Sequence, residues 1–263
     1  MATRVDESLP TLSPPTQSTN DNTIDLPMLG QTARLFAFAG EEPLLDGAHG
    51  AAGVTLPSRD VATLVLQRCL DLTIATLCLL VLWPIMLIAA CAVAIGSPGP
   101  VFYIQPRLGR DGEIFGCLKF RTMRVDADRL LRDLLESSAA IQEIWKREQK
   151  LRDDPRITPF GHILRRYSID ELPQLLNVLR GEMSIVGPRP IVEAEIERYA
   201  ARFSDYCRVK PGLTGLWQIS GRNSVSYQRR VELDSHYVRT KSLRGDLWIL
   251  VRTVPVVLRG TGV

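Results

Sequence analysis

The stretch Leu72–Ile95, LTIATLCLLVLWPIMLIAACAVAI, carries no charged residue over 24 positions. Coiled as an α-helix it measures about 36 Å, enough to cross the hydrocarbon of a bilayer. Trp83-Pro84 sits in its middle. Pro84 lacks the backbone N–H, and its ring crowds the carbonyl of Leu80, so a bend is expected there. A bent apolar helix either crosses the membrane at an angle or re-enters and leaves by the face it entered. Arg68 precedes the stretch; Arg107, Arg110, Lys119 and Arg121 follow it. Positive charge on both flanks favours the re-entrant form, with both ends on the cytoplasmic side. Gly96-Ser97-Pro98-Gly99-Pro100 then stops the helix.

Composition changes on either side. Residues 1–57 are rich in Pro, Ser, Thr, Asn and Gly, and Phe36 and Phe38 are their only aromatics. This tail buries too little apolar surface to offset its ordering entropy, so disorder is expected; it has neither the basic start nor the early apolar core of a signal peptide. Residues 58–98 form the expected membrane segment and residues 99–263 a cytosolic domain. The net charge is +3, but residues 1–60 hold three basic and eight acidic residues, which leaves +8 on the remainder. A basic body beside an apolar anchor suits membrane lipid with anionic headgroups and phosphate-bearing ligands. No basic-aromatic pattern points to nucleic acid. The five cysteines form no CxxC pair, and His49, His162 and His236 are scattered, which argues against a disulfide framework, a zinc site or a histidine-based triad. Homo-oligomerisation is compatible with the sequence and not specified by it.

Within the body, Val101–Tyr103 and Glu113–Phe120 are expected strands around Gly109-Arg110-Asp111-Gly112. Leu130, Leu131, Leu134 and Leu135 share one face of a helix, as do Leu172, Leu175, Leu176 and Leu179 of a second that ends at Gly181. Leu247–Leu258, interrupted by Arg252 and Pro255, is too short to span and is expected as a core or interfacial helix. The expected fold class is α/β (α+β), a membrane-associated catalytic domain with one kinked N-terminal membrane helix and amphipathic interfacial helices.

Ser168-Ile169-Asp170-Glu171-Leu172-Pro173-Gln174 places two adjacent carboxylates among Arg156, Arg165, Arg166, Arg180 and Arg189. Ser168 and Glu171 have capping-box spacing, but that frame puts Pro173 at the fifth helical position. With Asp170 as N-cap, Pro173 falls third, where it is tolerated, so the helix is expected to start at Asp170. Capping and phosphate chemistry both remain open on spacing alone. Gly187-Pro188-Arg189-Pro190 fixes the backbone around one arginine, which suits a guanidinium held for phosphate, or an ordinary loop. Strand alternation places Lys119 and Arg121 on one face. Asp126-Ala127-Asp128 matches a metal-binding DxD but opens a leucine-rich helix, where capping is the expected role.

The runs Gly99–Tyr103, Lys119–Met123, Asp154–Thr158, Asp170–Gln174, Ser184–Pro190 and Lys210–Arg222, in this order, resemble the bacterial sugar transferases, the monotopic polyprenyl-phosphate phosphoglycosyl transferases. The likeness covers about residues 60–263 and is nearest to members that move galactose phosphate onto undecaprenyl phosphate in exopolysaccharide synthesis. It implies a UDP-sugar donor, with UDP-galactose first and UDP-glucose as the alternative, an undecaprenyl phosphate acceptor and Mg²⁺. It implies Asp170 as nucleophile, Glu171 as metal or proton partner, both as metal ligands, and Arg189, Lys119, Arg121 and Arg156 as phosphate ligands. It implies a bacterial inner-membrane location with the catalytic domain on the cytoplasmic face. The family often has Ser-Pro at the helix break, where this chain has Trp83-Pro84. Two rival expectations are a metal-dependent glycosyltransferase that uses Asp126 and Asp128 and releases UDP, and a non-catalytic scaffold of polysaccharide machinery.

Overall fold

The computed structural model describes residues 61–148, 151, 154–222 and 225–260. The tail expected at residues 1–57 lies outside the described residues. Helix α1 (Val61–Gly96) runs unbroken through Pro84. Its buried residues, Ala75, Ala89 and Val93, are small and lie on one face of the helix, which lets the body approach the backbone. Leu80, Val81, Trp83, Leu87 and Ile88 are exposed. Both ends of α1 are tied to the body. Near the start, the Arg68 guanidinium donates to the carbonyls of Val178 and Leu179 (2.7 and 2.9 Å), and Asp71 accepts from Ser184 Oγ and Ile185 N, each at 2.9 Å. At the other end, Arg121 donates to the carbonyls of Pro98 and Ser97 (2.7 and 2.6 Å).

The domain is mainly helical with two small sheets, so the expected mixed class holds, without a central layered sheet among the described residues. Strands β1 (Phe102–Leu108) and β2 (Ile114–Phe120) pair antiparallel. Strand β1 continues five residues beyond the expected Tyr103, because Pro106 is tolerated on a strand with an open edge. Asp111, at φ 59°, turns the hairpin. Helices α2 (Ala127–Ser137), α3 (Ala139–Glu148) and α4 (Pro159–Arg166) follow; Thr158 Oγ1 caps α4 by accepting from Gly161 N at 3.0 Å. A 3₁₀ turn at Ile169–Glu171 leads into α5 (Gln174–Arg180), which ends at left-handed Gly181 as expected. Strands β3 (Ser184–Val186) and β4 (Gly212–Thr214) pair in parallel, with α6 (Ile196–Tyr199) and α7 (Phe203–Cys207) between them in sequence. Helices α8 (Leu216–Ile219), α9 (Tyr227–Thr240) and α10 (Leu243–Leu258) complete the fold.

One apolar core joins α1, α5, β3, α9 and α10 through Ala75, Leu175, Val178, Ile185, Tyr237 and Ile249. Another sets Ala89 and Val93 of α1 against Phe120 and Leu164. The face of α10 opposite Ile249 leaves Leu247, Val251, Val254 and Leu258 exposed, so the helix is apolar on its buried and its exposed side alike.

Candidate active site

The expected capping frame does not form. Ser168 is left-handed (φ 57°) and makes no cap, Asp170 lies inside the 3₁₀ turn, and the N-cap of α5 is Pro173. The two carboxylates are therefore free of helix-end duty. Asn177, fully buried on α5, binds this element to β2: its Oδ1 accepts from Leu118 N at 3.0 Å and its Nδ2 donates to Gly116 O at 2.8 Å. That contact sets Lys119 of β2 opposite the carboxylate pair.

Lys119 Nζ stands 3.3 Å from Glu171 Oε1, and Arg189 Nη2 3.1 Å from the same atom. Arg189 is carried by a pinned backbone. Gly187 N donates to Thr214 O (2.9 Å), Gly212 N donates to Pro188 O (2.8 Å), and Arg107 donates to Pro190 O (2.9 Å). A Cβ on Gly187 would stand 2.6 Å from Lys210 O, so the close approach of the two chains requires glycine. The Arg189 guanidinium lies 6.0 Å from the centre of the Trp217 ring.

The two carboxylates are driven apart. Burial, and then the neighbouring charge of Glu171, raise Asp170 to about 6. Burial opposes ionisation of Glu171 too, but Arg189 and Lys119 outweigh it and hold Glu171 at about 2. Among the described residues no hydrogen bond reaches the Asp170 carboxylate, which is 8% exposed. Near neutral pH the site thus offers one clamped anion and one weakly solvated carboxylate that is still mostly ionised, the condition of a nucleophile.

Two of the expected phosphate ligands have partners elsewhere in this structure. Arg121 does not share the face of Lys119: β2 ends at Phe120, and the Arg121 side chain latches onto the foot of α1. Arg156 is buried in a bidentate pair with Asp154 (2.8 and 2.6 Å). Neither makes a hydrogen bond or ion pair with Asp170 or Glu171. Asp126 occupies the N-cap position of α2 without capping it; it pairs instead with Arg124 and Arg129 (3.3 and 3.0 Å). Arg222 has no counterpart among the expected site residues. From the loop after α8 its guanidinium donates to Ser168 Oγ, beside the carboxylate pair. Arg165 joins from α4, where its Nε donates to Thr122 Oγ1 at 2.8 Å and its guanidinium feels the charge of Asp170.

A model of the bacterial sugar transferase family matches residues 62–260. The chain belongs to the bacterial sugar transferases. The exopolysaccharide production protein ExoY of Sinorhizobium fredii is 50% identical over 196 residues, 74% of this chain and 87% of that protein. ExoY of Rhizobium meliloti is 47% identical over the same shares. The undecaprenyl-phosphate galactose phosphotransferase of Salmonella typhimurium is 45% identical over 197 residues, 75% of this chain and 41% of that protein. The matched range of this sugar transferase takes in α1 from its second residue on and every residue of the carboxylate site.

Proposed function

We propose that this sugar transferase is an undecaprenyl-phosphate sugar phosphotransferase that moves a hexose 1-phosphate from a UDP-sugar to undecaprenyl phosphate, releases UMP and initiates exopolysaccharide synthesis. The observation that carries the mechanism is the buried Asp170 carboxylate, without a hydrogen bond among the described residues and raised to about 6 beside a Glu171 clamped by Lys119 and Arg189. Asp170 Oδ attacks the sugar-bearing phosphorus, the bond to the bridging oxygen breaks, and UMP leaves with that oxygen. A phosphate oxygen of the acceptor then attacks the same phosphorus. The aspartyl–phosphorus bond breaks, the carboxylate is regenerated, and undecaprenyl diphosphate sugar departs. Arg189, Lys119, Arg165 and Arg222 neutralise the phosphates. Among the described residues no cluster of three metal-ligating side chains forms. One or two carboxylates with substrate phosphates nonetheless suit Mg²⁺, so Glu171 and Asp170 would hold it, and it would supply charge neutralisation.

UDP-galactose is the first donor to test, since galactose is named for the Salmonella relative, and UDP-glucose is the alternative. One folded body holds both ends of α1, through Asp71 and through Arg121. This supports a re-entrant helix with both ends on one side of the membrane, and the positive charge on its flanks favours the cytoplasmic side. The test is intact-protein mass spectrometry with Mg²⁺ and each UDP-sugar, without acceptor, on wild type and Asp170→Asn. A phosphohexose adduct on the wild type alone is expected. Release of UDP instead of UMP, or an adduct on the Asp170→Asn variant, would overturn the mechanism.

A further inference from the structure

Helix α4 divides into three faces. Gly161 and Leu164 are buried, and a Cβ on Gly161 would stand 2.2 Å from Thr122 O, so α4 lies hard against the segment that follows β2. His162 and Arg166 point to solvent. Between these faces Phe160, Ile163 and Tyr167 form a narrow apolar stripe, 44%, 53% and 40% exposed. Phe160 and Ile163 on the helix and Tyr167 at its C-cap thus keep about half of their apolar surface outside the packing that holds α4.

The ends of the stripe say what it suits. At one end Phe160 touches the foot of the membrane helix; a Cβ on Gly96 would stand 3.0 Å from its Cδ2. At the other, Tyr167 lies three residues before Asp170 and packs by Gly260, just past α10. Cations gather at that second end: Arg165 beside Asp170, Arg222 on Ser168, and Lys119 on Glu171. From Phe160 to Tyr167 the stripe spans about 10 Å along the helix. It joins a cationic reaction centre to an apolar anchor and is one side chain wide. The ligand complementary to that layout has a phosphate at one end and a single long apolar chain behind it.

We propose that the Phe160–Ile163–Tyr167 face of α4 binds the isoprenoid chain of the polyprenyl phosphate acceptor next to its phosphate, and so directs that phosphate at Asp170. This rests on the acceptor named under the proposed function, but its test needs no donor and no turnover. Binding of undecaprenyl phosphate to the full-length protein in detergent micelles is measured by native mass spectrometry, for wild type, Ile163→Ser and Phe160→Ser. Dimethylallyl phosphate, one isoprene unit long, serves as competitor, and partition onto anionic phospholipid vesicles as control. The expected result is a Kd for undecaprenyl phosphate raised about tenfold per substitution, with inhibition by the short phosphate and vesicle partition unchanged. An unchanged Kd would overturn the proposal. Weaker vesicle partition with both phosphates affected alike would also overturn it, and would assign the stripe to the bilayer surface. Adduct formation by the same variants reports separately on the covalent mechanism: its loss in the wild type would sink that mechanism and leave the acceptor-binding result standing.

Discussion

Replacing Asp170 with asparagine should abolish transfer and, at neutral pH, make the protein more stable. The carboxyl is 8% exposed and raised from 3.8 to about 6, first by burial and then by the charge of Glu171. A carboxylate with a raised pKa gives its full favourable contribution below the unfolded value and loses it as pH climbs through the folded one. A rise of this size corresponds to about 3 kcal/mol of destabilisation at pH 7, most of which is gone at pH 4. Asparagine keeps the shape without the charge, but its buried amide lacks a partner, which costs about 1 kcal/mol. The net gain is about 2 kcal/mol at pH 7, or about 5 °C in melting midpoint for a unit of this size. At pH 4 it should vanish or reverse. Tryptophan-fluorescence melting of both proteins in one detergent, at pH 7 and pH 4, reads the difference. A variant that melts no higher than wild type at pH 7, or whose gain persists at pH 4, would refute the strained-carboxylate account even if activity were lost.

Glu171→Gln removes one of the causes that raise Asp170, so the acid limb of adduct formation, near pH 6 in the wild type, should move to lower pH; single-turnover rates between pH 5 and 8 measure it. Asn177→Ala leaves Leu118 N and Gly116 O without their partner and should cost about 2–4 kcal/mol, read from the urea midpoint. Arg121→Met frees the carbonyls of Ser97 and Pro98; it should lower stability by about 2 kcal/mol while the donor concentration for half-maximal adduct stays within about twofold of wild type.

Much of the local structure is legible in the sequence because its causes are local. An uncharged run marks α1, Gly181 stops α5, and the Gly109–Gly112 stretch closes the hairpin. Glu171 and Arg189 stand out by residue type and do meet, with Lys119, at one atom, Glu171 Oε1. What fails is extrapolation past the end of an element. Alternation pairs Lys119 with Arg121 only while the strand lasts, and Arg121 N already bonds Val101 O beyond it. What stays hidden is long-range: Arg222 reaches Ser168 across 54 residues and Asn177 reaches Leu118 across 59, and no periodicity encodes either contact. The failed capping frame is the more instructive case. Had Asp170 capped a helix, backbone N–H groups would have stabilised its ionised form and lowered its pKa. Left-handed Ser168, with its hydroxyl held by Arg222, instead leads into a 3₁₀ turn that leaves the Asp170 carboxylate buried and without a hydrogen bond among the described residues. The departure from local helix rules is thus the same feature that raises the carboxylate, and spacing alone left the choice between a cap and phosphate chemistry open.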